Sequence, residues 1–469
     1  MTMLLTLIAV MAAALASLSS WRRMYFLIIV IAAVQDPLRK ITPGTPGWFT
    51  LLSLPVFFSA LLASRAKIPG WWAAFKTACP SITKGIYLLC LLVIPAVVIS
   101  VSYSSGSWQY TLLGLTSYSL IFLSIIAGFH FGRSVESIRK LIAFYVGVHA
   151  LVLVGGVIQY LGMFEGLDVI GDRALGHEWL RWIPGYVVHL ISGFYRSADV
   201  MGWHAATVCM LALILAFSET GKARWFWTMI AAWAVFGLFL CGRRKMVFML
   251  PIFLFTLTWV YFYFGRAARV LPMIGFLVVP AASVYFVSDF LGEESAQIQY
   301  YSSAREGDTA FDRLSGHGFN SVLETVRQAG FFGHGLGFAT PGSHHIGAAR
   351  PRIWQESGTS RIMVELGVPG FVGFVGTLIA LVVRLWSVTR MHLRRRTPAG
   401  IYAAGLFALF LANLGSLTVS GQILADSFIV IFLGSLVGIG LGFARPTFMN
   451  VMQTRQNGGE AGYSTQSLR

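Results

Sequence analysis

The sequence predicts an all-α fold: a polytopic helical integral membrane protein of about 12–13 spans, forming one membrane domain over 1–469. Three observations carry that prediction. Apolar residues make up 56% of the 469 and charged residues 12%, and the mean hydropathy is +0.71, more apolar surface than a soluble chain of this length can hide. Apolar runs near bilayer-crossing length recur along the chain. The runs are continuous rather than alternating, which disfavours a β-barrel. The net charge of +16 therefore does not point to nucleic acid, because membrane proteins collect such an excess in cytoplasmic loops.

In chain order the candidate spans are about 2–18, 24–34, 48–64, 86–102, 109–130, 141–161, 200–217, 225–241, 246–264, 270–290, 362–385, 401–417 and 425–443. The first resembles a signal peptide but lacks a basic start, so it reads as a retained span. The second is short for a crossing, and reads as a half-helix or a tilted neighbour. The four cysteines, Cys79, Cys90, Cys209 and Cys241, lack metal-ligand spacing; three lie in or at the edge of apolar runs, which reads as buried free thiols, and no carboxylate pair has metal spacing.

Orientation follows from Lys and Arg in short loops. The stretch 387–396, SVTRMHLRRR, is the strongest cytoplasmic signal. Alternating from it places 21 of the 35 basic residues but only 3 of the 19 acids inside, which separates the charges well. The polar segment 444–469 reads as a disordered cytoplasmic tail. The same alternation puts Arg243, Arg244 and Lys245 of the stretch CGRRK outside, against the usual bias. Either a span is miscounted or these cations have work on that side.

Two outer loops are long, about 162–199 and about 291–361, and long loops between spans often carry function. In the second, Phe319, Val322, Leu323 and Val326 recur at helical spacing, as one face of an amphipathic helix lying on the bilayer or capping a cavity. GHGLG, with Gly333, Gly335 and Gly337, allows tight turns and leaves backbone N–H groups for an anion. His344, His345, Glu356 and Arg361 follow just before a span. The adjacent histidines read as solvated or as catalytic. Glu365, near the start of that span, reads as a complement to the helix dipole or as functional.

The order of several motifs resembles the O-antigen ligase and polymerase superfamily of bacterial envelope enzymes. They are YRSADVMGWHAA with Arg196, CGRRK, a loop helix beginning at Arg313, GHGLGF and ELGVPGFVGF. The likeness is loose over most of the chain and closer over about 196–373. It implies a helical membrane fold like that of lipid-dependent glycosyltransferases, in the bacterial inner membrane. It implies a glycan on undecaprenyl diphosphate as substrate, membrane lipids and other polysaccharide-assembly proteins as partners, and no cofactor. Arg196, Arg243, Arg244, Lys245 and Arg313 would bind diphosphate, with Arg361 and Glu365 in support. Many members carry a His-Asn pair nine residues before the ELG acid; here Glu356 and Ser357 stand there. Glu356 would then be the base, or His344 or His345 would supply the imidazole, or the chain belongs to a polymerase-like branch with a different acceptor.

Two other functions compete. A transporter or lipid flippase tends to carry ionisable or broken-helix sites near the midplane, where this sequence shows almost no charge. A non-catalytic subunit of an envelope-assembly complex would tolerate the glutamate at the histidine position.

Overall fold

The computed structural model describes residues 2–132, 134–164, 166–176, 178–183, 186–266, 275, 321–340, 342–343, 346, 355, 357–445 and 448. Among them the chain is an all-α, multi-pass helical membrane protein, with ten helical segments long and apolar enough to cross a bilayer.

The N-terminal half runs α1 (Thr2–Ser19), α2 (Met24–Ile41), α3 (Ser53–Lys67), α4 (Trp71–Ala78), α5 (Pro80–Leu92), α6 (Ile94–Ser102), α7 (Trp108–Phe131), α8 (Val135–Val152) and α9 (Val154–Tyr160). A two-stranded hairpin follows, β1 (Leu180–Ile183) and β2 (Tyr186–His189), antiparallel with Leu180 opposite His189. Then come α10 (Ala198–Ser218), α11 (Gly221–Leu240), α12 (Arg244–Val247), α13 (Met249–Tyr263) and α14 (Ser321–Ala329). The chain continues with α15 (Gly358–Arg394), α16 (Ala399–Val419), α17 (Gln422–Ala425) and α18 (Ser427–Gly442). The expected span 270–290 lies outside the described residues apart from Gly275, as does the 449–469 part of the tail.

Three expectations change. The short second span is a full 18-residue helix, α2, about 27 Å long. Its apolar run stops early because Gln35, Asp36 and Lys40 continue the helix as buried polar residues. The loop helix α14 turns Val322, Thr325, Val326 and Ala329 inward and leaves Leu323 47% exposed, so its covered face is rotated from the one expected. The hairpin was not expected, although alternating LRWI and YVVH flank a Pro-Gly turn signal.

Side chains cap several of these helices. Ser134 accepts from Ser137 N at 3.2 Å, Ser197 from Val200 N at 3.3 Å, Ser357 from Ser360 N at 3.0 Å and Asp426 from Ile429 N at 2.9 Å. Helix α10 is apolar all round and buried from Ala198 to Ala216, which makes it the bundle's central post. Against α7, α18 presents Gly434, Gly438 and Gly442, a small residue every fourth position. A Cβ at Gly438 would overlap the Ile125 carbonyl, so this spacing sets how closely the two helices pack. Large apolar side chains such as Val372, Ile379 and Val383 of α15 point outward, 58–60% exposed, as expected of a surface in contact with lipid.

The contacts sort the molecule into two ends. At the basic end, Arg22 donates to Phe131 O, Lys67 to Leu18 O and Ser19 O, Arg384 to Ala78 O, Arg266 to Leu393 O and Arg445 to Gly132 O. The opposite end carries 36–45, the hairpin, the start of α10 and the turn before α12. The five buried carboxylates among the described residues, Asp36, Asp172, Asp199, Asp426 and Glu365, all lie at that end or in the half facing it.

Candidate functional site

The turn at CGRRK begins the site. Gly242 has φ +70°, and a Cβ there would sit 2.5 Å from Leu190 Cδ2, so the glycine lets the turn fold tightly against the hairpin's exit. On its other side, a Cβ at Gly202 would be 2.9 Å from Cys241 Sγ. The missing side chain lets the turn approach α10 closely enough for Arg243 and Lys245 to reach Asp199. Arg243 Nη2 lies 3.0 Å from Asp199 Oδ2, and Lys245 Nζ 2.8 Å from Oδ1. The Arg243 guanidinium also sits over the Trp179 ring, 5.1 Å from its centroid. Arg243 is 5% exposed and Lys245 30%. Two cations, Arg243 and Lys245, share one carboxylate, which leaves a positive excess.

Arg196, expected to bind diphosphate, is matched by two acids. Its backbone N–H donates to Asp36 Oδ2 at 3.0 Å, Nη1 lies 3.5 Å from Asp36 Oδ1, and Nη2 donates to Asp426 Oδ2 at 2.5 Å. Burial alone would lower the arginine's pKa, but Asp426 and Asp36 more than reverse this and hold it above the usual value. Beside this triad, buried Lys40 donates to Val169 O, Gly193 O and Tyr195 O at 3.4, 2.9 and 2.7 Å. Two acids and two cations thus cancel, and together they tie the loop before α10 to the ends of α2 and α18. Tyr195 extends the tie inward through its hydroxyl to His149 Nδ1 at 3.0 Å.

A third cluster explains the motifs GHGLGF and ELGVPG as one unit. Gly367 breaks α15 with φ 65° and ψ −174°, a conformation essentially reserved for glycine. The break leaves the Val364 carbonyl to accept from His334 N at 2.7 Å, while Val368 N donates to Phe331 O at 2.8 Å. Leu336 N in turn donates to Ala96 O at 3.2 Å. The N–H groups of His334 and Leu336 are therefore spent on the fold rather than on an anion. Gly333 and Gly337 permit backbone contact with α15 and α7.

The same break defines the setting of Glu365. The helix starts at Gly358, so Glu365 lies at the C-terminal end of a short half-helix, where the dipole does not favour an acid. It is fully buried and accepts from Tyr118 Oη at 2.8 Å and Thr340 Oγ1 at 2.7 Å. Arg361, 2% exposed, donates to Thr340 Oγ1 at 2.9 Å and reaches Ser117 Oγ at 3.4 Å, with Nε 3.8 Å from Glu365. Its Nε and Nη1 make no hydrogen bond among the described residues. Tyr118 is ten residues into α7, about 15 Å from its N-terminal end. A buried Arg–Glu pair thus packs against the middle part of the apolar helix α7, in a stretch that seemed nearly free of charge.

The structure therefore brings Arg243 and Lys245 together, assigns Arg196 to a neutral tie, and joins Arg361 with Glu365 in a separate network. Arg313, His344, His345 and Glu356 lie outside the described residues. Sequence reading passed over Asp36, Asp199, Asp426, Tyr118, Thr340 and Trp179. Acids set into apolar stretches, as in AAVQDPL and ILADSFIV, were the available signal for Asp36 and Asp426. No family model matches this chain, and no curated protein matches it.

Proposed function

We propose that the chain polymerises or ligates glycans carried on undecaprenyl diphosphate, at the outer face of a bacterial inner membrane, in the assembly of surface polysaccharide. One observation carries this reading: Arg243 and Lys245 share Asp199 at the end opposite the basic belt. The positive-inside bias makes the basic end cytoplasmic and the cation excess external. An amphiphilic donor has its diphosphate at that interface, its lipid tail in the bilayer and its sugars in the outer compartment. Arginine and lysine suit the phosphate oxygens through charge-assisted hydrogen bonds. In the reaction an acceptor hydroxyl oxygen bonds to the anomeric carbon. The bond from that carbon to the phosphate oxygen breaks, and the diphosphate leaves with its electron pair. The hydroxyl proton passes to a base, for which Glu356, His344 and His345 are the candidates. Lys245 and Arg243 offset the charge that develops on the departing diphosphate.

The test is turnover in liposomes containing the purified protein and undecaprenyl-diphosphate oligosaccharide. The reading expects elongated or transferred glycan with free undecaprenyl diphosphate. It expects a loss of about 10–100-fold for Arg243→Ala, the scale of one charged hydrogen bond. No product from the wild-type protein, or undiminished product from Arg243→Ala with Lys245→Ala, would reject it.

A second reading, a transporter or lipid flippase, draws on the Arg361–Glu365 pair beside the broken helix at Gly367, because discontinuous helices and intramembrane charges mark transport sites. Movement of a fluorescent polyprenyl-diphosphate lipid across the same liposomes, without glycan transfer, would favour it.

A further inference from the structure

Above the cation site lies a cleft of about 440 Å³, between the segment leaving α9 and the hairpin. Tyr160, Asp172, Arg173, Glu178, Trp179 and His189 line it. Its volume falls in the range of small-ligand sites.

The walls are fixed by the backbone. Asp172 Oδ2 accepts from Trp179 N at 2.9 Å, and Leu190 N donates to Trp179 O at 2.9 Å. Gln159 Oε1 accepts from Ser192 N and Gly193 N at 3.0 and 2.7 Å. Lys40 holds the same segment from beneath through the Gly193 and Tyr195 carbonyls. Such a cleft exists before any ligand arrives, which lowers the ordering cost of binding.

Its chemistry selects among ligands. Two aromatic rings offer flat apolar faces, as the C–H face of a pyranose requires. Carboxylates accept from hydroxyls, and the guanidinium and imidazole can donate to ring and glycosidic oxygens. A lipid tail would leave these polar groups without partners. Among the lining residues an anionic ligand would face Asp172 and Glu178 with one arginine, Arg173, which already lies 3.4 Å from Glu178. Beneath the cleft, Trp179 carries the Arg243 guanidinium, so the cleft and the cation excess meet at one indole.

We propose that this cleft is a glycan subsite for uncharged or amino sugars, with uronic and other acidic sugars disfavoured. The sugar nearest the diphosphate would rest by Trp179; that orientation depends on the transferase reading above, whereas sugar binding does not.

The experiment applies the full-length protein in detergent to a printed panel of bacterial oligosaccharides that are neutral, amino-substituted or uronate-containing. The variants are Glu178→Gln, Trp179→Ala and Lys67→Ala. Glu178 is 43% exposed, so Glu178→Gln changes the cleft without opening the core. The expected result is retention of neutral or amino glycans and not of uronates. Retention falls at least tenfold in Glu178→Gln and is lost in Trp179→Ala, while Lys67→Ala, at the basic end, keeps it within about threefold. The proposal is overturned by no retention of any glycan, by preference for uronates, or by retention unchanged in both Glu178→Gln and Trp179→Ala. Retention without turnover in liposomes leaves the subsite standing and removes the transferase. Turnover that depends on Arg243, with no retention, removes the subsite alone.

Discussion

The two ends of the bundle use positive charge differently. At the basic end, Arg22, Lys67, Arg384 and Arg266 donate to carbonyls at the C-terminal ends of α7, α1, α4 and α15, where helices leave acceptors unpaired and the dipole favours a cation. These contacts need no partner acid, and those of Lys67 are exposed. At the opposite end Arg196, Arg243, Lys245 and Arg361 face buried carboxylates. Burying a charge costs free energy unless it is matched, so a sequence that keeps five buried acids there invests in geometry rather than in topology alone. Within that end a second contrast appears. The Arg196 group is neutral and sealed, whereas the Arg243 group is left positive and its Lys245 is partly exposed. The first reads as a tie and the second as a place for an anion.

Substitutions can break this contrast, beginning with the largest effect. Asp426→Ala leaves Arg196 with Asp36 alone and removes the cap of α18, and should cost ~3–5 kcal/mol. Loss of folded protein on size exclusion, or a lower Tm in detergent, would register it. Gly367→Ala asks a side chain to adopt φ 65° beside the Phe331 and Phe332 carbonyls, at about 1–3 kcal/mol for the backbone plus the overlap. It should lower Tm and loosen the GHGLG segment in hydrogen exchange, with His334 N most affected. Arg243→Ala should leave Tm less altered than Asp426→Ala while reducing turnover, which separates the tie from the anion site. Lys67→Ala, at the basic end, should change stability by no more than ~1 kcal/mol and leave turnover intact. A fall in turnover for Lys67→Ala equal to that for Arg243→Ala would erase the distinction between the ends.

Much of the fold was legible because bilayer crossing imposes a coarse rule on composition, and the rule holds without knowledge of contacts. Most of the predicted spans became helices within a few residues of their expected bounds. The failures have local causes. The second span was cut short because Gln35, Asp36 and Lys40 look like a polar boundary when read alone. They remain helical because Arg196 and the carbonyls of 169–195 satisfy two of them from far along the chain. Arg196 looked like a free cation for the same reason, since its partners Asp36 and Asp426 are 160 and 230 residues away. Glycines in GHGLG signalled close backbone approach, and sequence could not say whether an anion or α15 would be the thing approached. That CGRRK lies at the end opposite the basic belt was legible from spans and charges together, and Asp199 as its partner was not.

Labelling of single cysteines tests the central claim most directly, that the cation excess faces the outside. Lys245→Cys and Lys67→Cys are placed separately in a Cys90→Ser background, because Cys90 is exposed and Cys79, Cys209 and Cys241 are buried. Burial also pushes the Cys241 thiol up to about 12, so it stays unreactive beside the probe position. Intact spheroplasts are treated with a membrane-impermeant maleimide. Labelling at residue 245 without permeabilisation, and at residue 67 only after it, is the predicted result; the reverse pattern would contradict the account.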